Sequence, residues 1–222
     1  MILTFDIETL PTNNAELIAE FELTITAPGQ YKKPESIAEW LIENKESALK
    51  EIVAKTSFDG LYGRIACISW QFDDGEICST YAGMTEKEAI TDFYAFINAK
   101  PENILNNLVF CGHNISGFDL PFLKHRSIIL GVKPPKALLD AMNAKPWDRF
   151  IQDTMLMWNQ NRDKYASMEK LCRAFGIESK GDFDGSMVAD TWPVDPEKVL
   201  QYCRDDVNRT RQIYKRLTFN AM

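Results

Sequence analysis

Within Ile2–Glu8 apolar and polar residues alternate from Leu3 onward. Leu3, Phe5 and Ile7 point one way; Thr4, Asp6 and Glu8 point the other. A period of two is the signature of a half-buried strand. It also puts the carboxylates of Asp6 and Glu8 on one face. Two like charges so close repel, and the repulsion calls for a compensating partner. A divalent cation is the natural one. A D-x-E pair by itself fits the solvated face of an edge strand equally well, so the chemistry needs further residues.

The rest of the chain supplies elements to go with that strand. Pro11, Asn13 and Asn14 end it, and residues 35–55 read as a helix with charged faces. Residues 64–72 and 77–81 flank the turn signal Asp73-Asp74-Gly75 and read as a β-hairpin. Thr85 and Glu88 form a capping-box pattern that opens a helix running to about Ala99. Residues 108–113 read as a buried strand, 120–130 as a helix stopped by Gly131, and 167–175 as a helix closed by Gly176. Residues 150–158 fit strand or helix. Residues 196–217 carry the longest helical pattern, with Pro near its first turn and Lys/Arg at its end. The order predicts an α/β layer architecture: a mixed sheet led by a hairpin, with flanking helices. With 222 residues, one domain spanning 1–222 is expected, carrying an insertion at about 11–60.

Composition narrows the chemistry. The chain has two histidines, His113 and His125, and five scattered cysteines with no C-x-x-C pair. That argues against a multi-histidine metal site, a zinc site and a disulfide framework. A metal here would be held by carboxylates, which favours a hard ion such as Mg²⁺ or Mn²⁺. The net charge of −7 argues against tight, sequence-independent duplex binding, which relies on phosphate neutralisation. It leaves room for an enzyme that holds a strand end through metal ions. Apolar runs such as 127–132 are too short to span a bilayer. The N-terminus lacks a basic region before its first acid at position 6, so no signal peptide is expected, and the expected location is cytoplasmic.

Two more segments can bring carboxylates to the same place. The first is His113-Asn114-Ile115-Ser116-Gly117-Phe118-Asp119, at a predicted strand-to-helix junction. Asp119 there also suits a helix N-cap. The second is Tyr202-Cys203-Arg204-Asp205-Asp206 in the last helix, where positions i and i+4 share a face. Spacing alone leaves Asp205 open beside Asp206. Phosphodiester hydrolysis develops charge on the attacking and leaving oxygens, and two divalent ions roughly 3.5–4 Å apart stabilise both. Holding two such ions without histidine takes about four converging carboxylates.

The ordered set, D-x-E at Asp6 and Glu8, N-x-x-x-F-D at Asn114 to Asp119, and Y-x-x-x-D at Tyr202 to Asp206, resembles the tyrosine-containing (DEDDy) branch of the DEDD 3′-5′ exonuclease superfamily. Phe5-Asp6-Ile7-Glu8-Thr9 is similar to the proofreading exonuclease domain of family-B DNA polymerases, here expected as a stand-alone form. The resemblance implies a ribonuclease H-like fold with a mixed five-stranded sheet flanked by helices. It implies that Asp6, Glu8, Asp119 and Asp206 hold two divalent ions, Mg²⁺ or Mn²⁺, and it selects Asp206 over Asp205. Tyr202 would orient or help activate the attacking water; its ordinary pKa near 10 makes it a poor base. Thr9, Leu10, Asn114 and Phe118 would contact the substrate.

The implied partner is the 3′ end of a nucleic acid, with single-stranded DNA first and RNA open, and no membrane. A catalytically silent binding module of the same fold and a phosphoesterase acting on small nucleotides are the alternatives. Asp153 is expected to be structural. Lys124, His125, Arg126, Lys164, Lys170, Arg173 and Lys180 could form a phosphate-binding rim, though most of them suit a solvated face.

Overall fold

A computed structural model describes residues 1–145, 147–159, 165–179 and 181–220. In chain order the elements are β1 (Ile2–Leu10), α1 (Ala15–Thr24), α2 (Pro34–Lys55), β2 (Arg64–Phe72), β3 (Ile77–Ser79), α3 (Glu86–Asn98) and α4 (Glu102–Leu105). There follow β4 (Val109–Gly112), α5 (Asp119–Leu130), α6 (Lys136–Asn143), β5 (Ile151–Asp153), α7 (Thr154–Trp158), α8 (Met168–Phe175), α9 (Val188–Thr191) and α10 (Pro196–Leu217). The strands form one five-stranded sheet in the order β3-β2-β1-β4-β5. β1 pairs antiparallel with β2 and parallel with β4, so the expected mixed sheet is present.

The first strand departs from its sequence reading in one respect. It is central rather than half-buried, and both faces are covered. Leu3, Phe5 and Ile7 pack into the main core with Ile90 and Phe93 of α3 and Leu120 and Leu123 of α5. On the opposite face Thr4 is fully buried and Glu8 keeps only 9% exposure. There α10 lies across β1 and β2, its Val199, Leu200 and Cys203 packing with Leu10, Ala66 and Cys67. Period two shows which residues share a face; it cannot show that a helix covers the polar one. Each large apolar side chain buried this way contributes about 1.5–3 kcal/mol, so the strand is anchored chiefly by its apolar face.

Local signals held at several ends. Thr85 and Glu88 make the reciprocal capping box at the start of α3. Gly131 and Gly176 close α5 and α8 with left-handed backbone, at φ 64° and 67°. The ambiguous stretch 150–158 is both things in turn, β5 then α7, with Asp153 as the hinge and cap. The pattern at 196–217 is α10, equalled in length by α2 at 22 residues. Within 11–60, α1 is an element the sequence reading did not separate. Neither α1 nor α2 has a buried residue, and the two pack on each other with a Lys45–Glu22 ion pair at 2.9 Å. Among the described residues no helix is long and apolar enough to cross a membrane.

Candidate active site

The carboxyl-terminal half of β1, the junction between β4 and α5, and the middle of α10 meet on one side of the sheet. Asp6 and Glu8 share the β1 face that α10 covers. The β1–β2 register slips between Glu8 and Thr9, where Glu8 faces Cys67 and Thr9 faces Ile65. That bulge re-aims the strand just beside the acidic pair.

Asp119 reaches the same place by a different route. The sequence allowed it to be an N-cap; in the structure Phe118 holds the cap position and no side chain caps α5. Asp119 is instead the first helical residue, and its Oδ1 accepts a hydrogen bond from the Ile7 N–H at 3.2 Å. Only 3% of it is exposed. Burial pushes its carboxyl up to about 7, opposed by its backbone hydrogen bonds and reinforced by the charges of Asp153 and Asp206.

From α10 come Tyr202, Cys203 and Asp206, all buried. Asp205, the alternative left by spacing, lies at the surface, where Gln201 donates to it at 2.8 Å. The Tyr202 hydroxyl is pushed well above its ordinary pKa, first by burial, then by the charges of Asp206, Glu8 and Asp6 and by its hydrogen bond to Asp206. Its ring packs edge-on against Phe183 with centroids 5.0 Å apart. The structure therefore brings Asp6, Glu8, Asp119, Tyr202 and Asp206 together.

Cys203 is a neighbour the sequence reading passed over. Its thiol donates to the Asp6 carbonyl at 3.4 Å and to Asp6 Oδ2 at 3.6 Å. Burial, a hydrogen bond with Cys67 and the nearby Asp6 and Glu8 hold it in the protonated, unreactive form. Its place between Tyr202 and Asp206 was the only sequence signal. Among the described residues, ligand atoms of Asp6, Glu8 and Cys203 lie within 4.8 Å of one another, close enough to share an ion. Crowded, buried carboxylate oxygens, one of them driven toward protonation, are a donor set that a hard divalent cation fits.

The remaining expected residues have varied surroundings. Thr9 donates its hydroxyl to the Ser57 carbonyl at 2.7 Å. Leu10 is a core side chain here, packed with Val188 and Leu200. Asn114 takes left-handed backbone at φ 65°, which Asn tolerates better than most residues. A Cβ at Gly117 would sit 2.5 Å from Asn114 Oδ1, so that glycine makes room for the asparagine side chain. Phe118 packs against Phe122 at 5.5 Å and is half-buried. Asp153 is structural: its oxygens accept from the backbone N–H groups of Asn114, Ser116, Met155 and Leu156 at 3.0–3.3 Å. Arg126 does not belong to a rim. It is a buried residue whose guanidinium forks onto both oxygens of Glu86 at 2.8 and 2.9 Å. Lys124 donates to Asn143, and Arg173 pairs with Glu169. Lys164 and Lys180 lie outside the described residues.

The sheet order, the helices on both faces and the acidic cluster beside the central strand define an α/β domain of the ribonuclease H-like class. The sequence model of a family described as "Predicted 3'-5' exonuclease related to the exonuclease domain of PolB" matches residues 64–221, and the chain belongs to that family. Asp6 and Glu8 lie before the matched residues, and the fold brings them to Asp119, Tyr202 and Asp206. Among solved structures, the family B DNA polymerase from the hyperthermophilic archaeon Pyrobaculum calidifontis is similar, with a TM-score of 0.60 at 18% identity over 98% of this chain. The chain spans 24% of that polymerase's length, and at this identity the likeness shows the fold. No curated protein matches the chain.

Proposed function

We propose that this chain is a metal-dependent 3′-5′ exonuclease that removes nucleotides from the 3′ end of a nucleic acid, with single-stranded DNA as the expected preferred substrate. The observation that carries the proposal is the convergence of Asp6, Glu8, Asp119, Asp206 and Tyr202 from three distant segments of a chain in a predicted exonuclease family. A core that merely tolerated polar residues would have no reason to gather four carboxylates and a tyrosine at one point, since each buried charge costs free energy unless something compensates it.

In this reading Asp6, Glu8, Asp119 and Asp206 hold two divalent ions, Mg²⁺ or Mn²⁺. Such ions supply charge stabilisation on the attacking and leaving oxygens and make water easier to deprotonate. The protein's own part is placement. The Ile7 N–H fixes one oxygen of Asp119. Tyr202, kept protonated by burial and by its acidic neighbours, orients the attacking water by hydrogen bonding and does not serve as a base. Thr9, beside the acidic pair in sequence, is the side chain proposed to meet the terminal nucleotide, and Asn114 and Phe118 are proposed to line the strand channel.

The test is incubation with Mg²⁺ or Mn²⁺ and 3′- or 5′-labelled DNA and RNA oligonucleotides. Stepwise shortening from the 3′ end is expected, and Asp6→Ala should lower it about a hundredfold or more, since loss of even an outer partner of a metal ligand costs 10–100-fold. Binding without turnover would instead identify a silent nucleic-acid-binding module. Hydrolysis confined to mononucleotides would identify a small-nucleotide phosphoesterase.

A further inference from the structure

Arg209 lies three residues beyond Asp206 on α10, and its guanidinium is committed in more than one direction. Nη1 stands 2.8 Å from Asp206 Oδ1, and Nε donates to the Glu178 carbonyl at 3.3 Å. Nη2 is 3.9 Å from Asp205 Oδ2. The pair with Asp206 is sheltered: the two side chains are 12% and 6% exposed. Most ion pairs one helical turn apart are solvated and contribute little. This one joins a buried carboxylate of the acidic cluster to the one side-chain cation that cannot shed its proton. An oxygen of Asp206 therefore faces a fixed positive charge. A divalent ion approaching that carboxylate must share it with the guanidinium or displace it.

We propose that Arg209 is a positioning residue that acts as the internal counter-ion of Asp206, and that it lowers the affinity of the site for the divalent cation Asp206 would hold. The inference rests on the nuclease reading for the role of the cluster. It gives the pair a consequence that a purely structural tether lacks. As a tether, Arg209 would join α10 to the segment after α8 through Glu178, and its loss would cost stability while leaving cation affinity unchanged or weaker. As a counter-ion, its neutralisation must strengthen cation binding.

Mn²⁺ binding to the full chain, followed by calorimetry and by electron paramagnetic resonance, separates the two. Arg209→Gln keeps hydrogen-bonding capacity and removes the charge; it should bind Mn²⁺ about fivefold more tightly than the parent, the size expected of one favourable charge pair. Arg209→Lys keeps the charge and should stay within about twofold. Equal or weaker Mn²⁺ binding by Arg209→Gln overturns the proposal. Should that variant fail to fold, the Arg209 Nε resonance of the parent protein decides during Mg²⁺ titration: a shift on saturation supports the counter-ion role, and a stationary signal overturns it. If the parent cleaves oligonucleotides and Arg209→Gln shows no gain in affinity, only this inference fails. If Arg209→Gln gains affinity and the parent cleaves nothing, only the nuclease reading fails. No Mn²⁺ binding by either protein overturns both.

Discussion

At the scale of single residues, Asp119 shows how a site and a stable core compete. Its carboxyl is raised to about 7, chiefly by burial, against an ordinary value of 3.8. The folded chain therefore binds that proton more tightly than the unfolded chain does. The stability this confers is fully present below about pH 4 and is lost as pH rises through about 7. In the presence of chelator the protein should lose stability between about pH 5 and 8. Asp119→Asn mimics the protonated form and keeps an acceptor for the Ile7 N–H. It should be more stable than the parent at pH 8, by on the order of 1–3 kcal/mol, while cleavage collapses. Denaturant melts at the two pH values, paired with the oligonucleotide assay, check both halves. A variant that is less stable at pH 8 would contradict this assignment of the strain. Tyr202→Phe should act differently: Mn²⁺ binding is retained and turnover falls roughly 10–100-fold, because only a water-orienting hydroxyl is removed.

At the scale of elements, the site depends on a junction held by one carboxylate. Asp153 ends β5, caps α7 and at the same time accepts from Asn114 and Ser116 in the segment that leads from β4 to Asp119. Asp153→Ala leaves four backbone N–H groups without that acceptor in a residue environment only 2% exposed. The expected cost is about 2–4 kcal/mol. Asp153→Asn retains Oδ1, which takes three of the four bonds, and should cost less. Chemical denaturation of the two variants gives the order directly. The sequence expectation is that Asp153 is structural, and it lies in a short stretch that reads as strand or helix. Its physical basis, one side chain serving two segments 39 residues apart, exists only after folding.

At the scale of the whole molecule, the sheet and its covering helices form one body, with the 11–60 stretch at its edge. α1 and α2 lack buried residues, and Phe21 packs edge-on against Tyr62, beyond the stretch, with ring centroids 5.6 Å apart. Thr12 and Thr56 meet at the base of the stretch, the Thr12 N–H donating to the Thr56 hydroxyl at 2.8 Å. We propose that this stretch is an insertion in the exonuclease domain. Replacing residues 15–53 with a short flexible linker should then leave the melting temperature within about 4 °C, the shift that roughly 1 kcal/mol produces in a chain of this size. A large loss would show that the two helices are integral to the core.

What the sequence determined by itself was local or periodic: the alternation that shows which face carries Asp6 and Glu8, the capping box at Thr85, the glycines that end α5 and α8, and the ordered motifs that name the candidate site. These signals reside in neighbouring residues, so one chain suffices to read them. The tertiary structure alone decided that α10 covers the polar face of β1, that Asp119 bonds to the Ile7 backbone and does not cap α5, that Cys67 and Cys203 meet beside the acids, and that Arg126 is buried on Glu86. Each of those depends on which distant surfaces pack together, and no spacing along the chain encodes that.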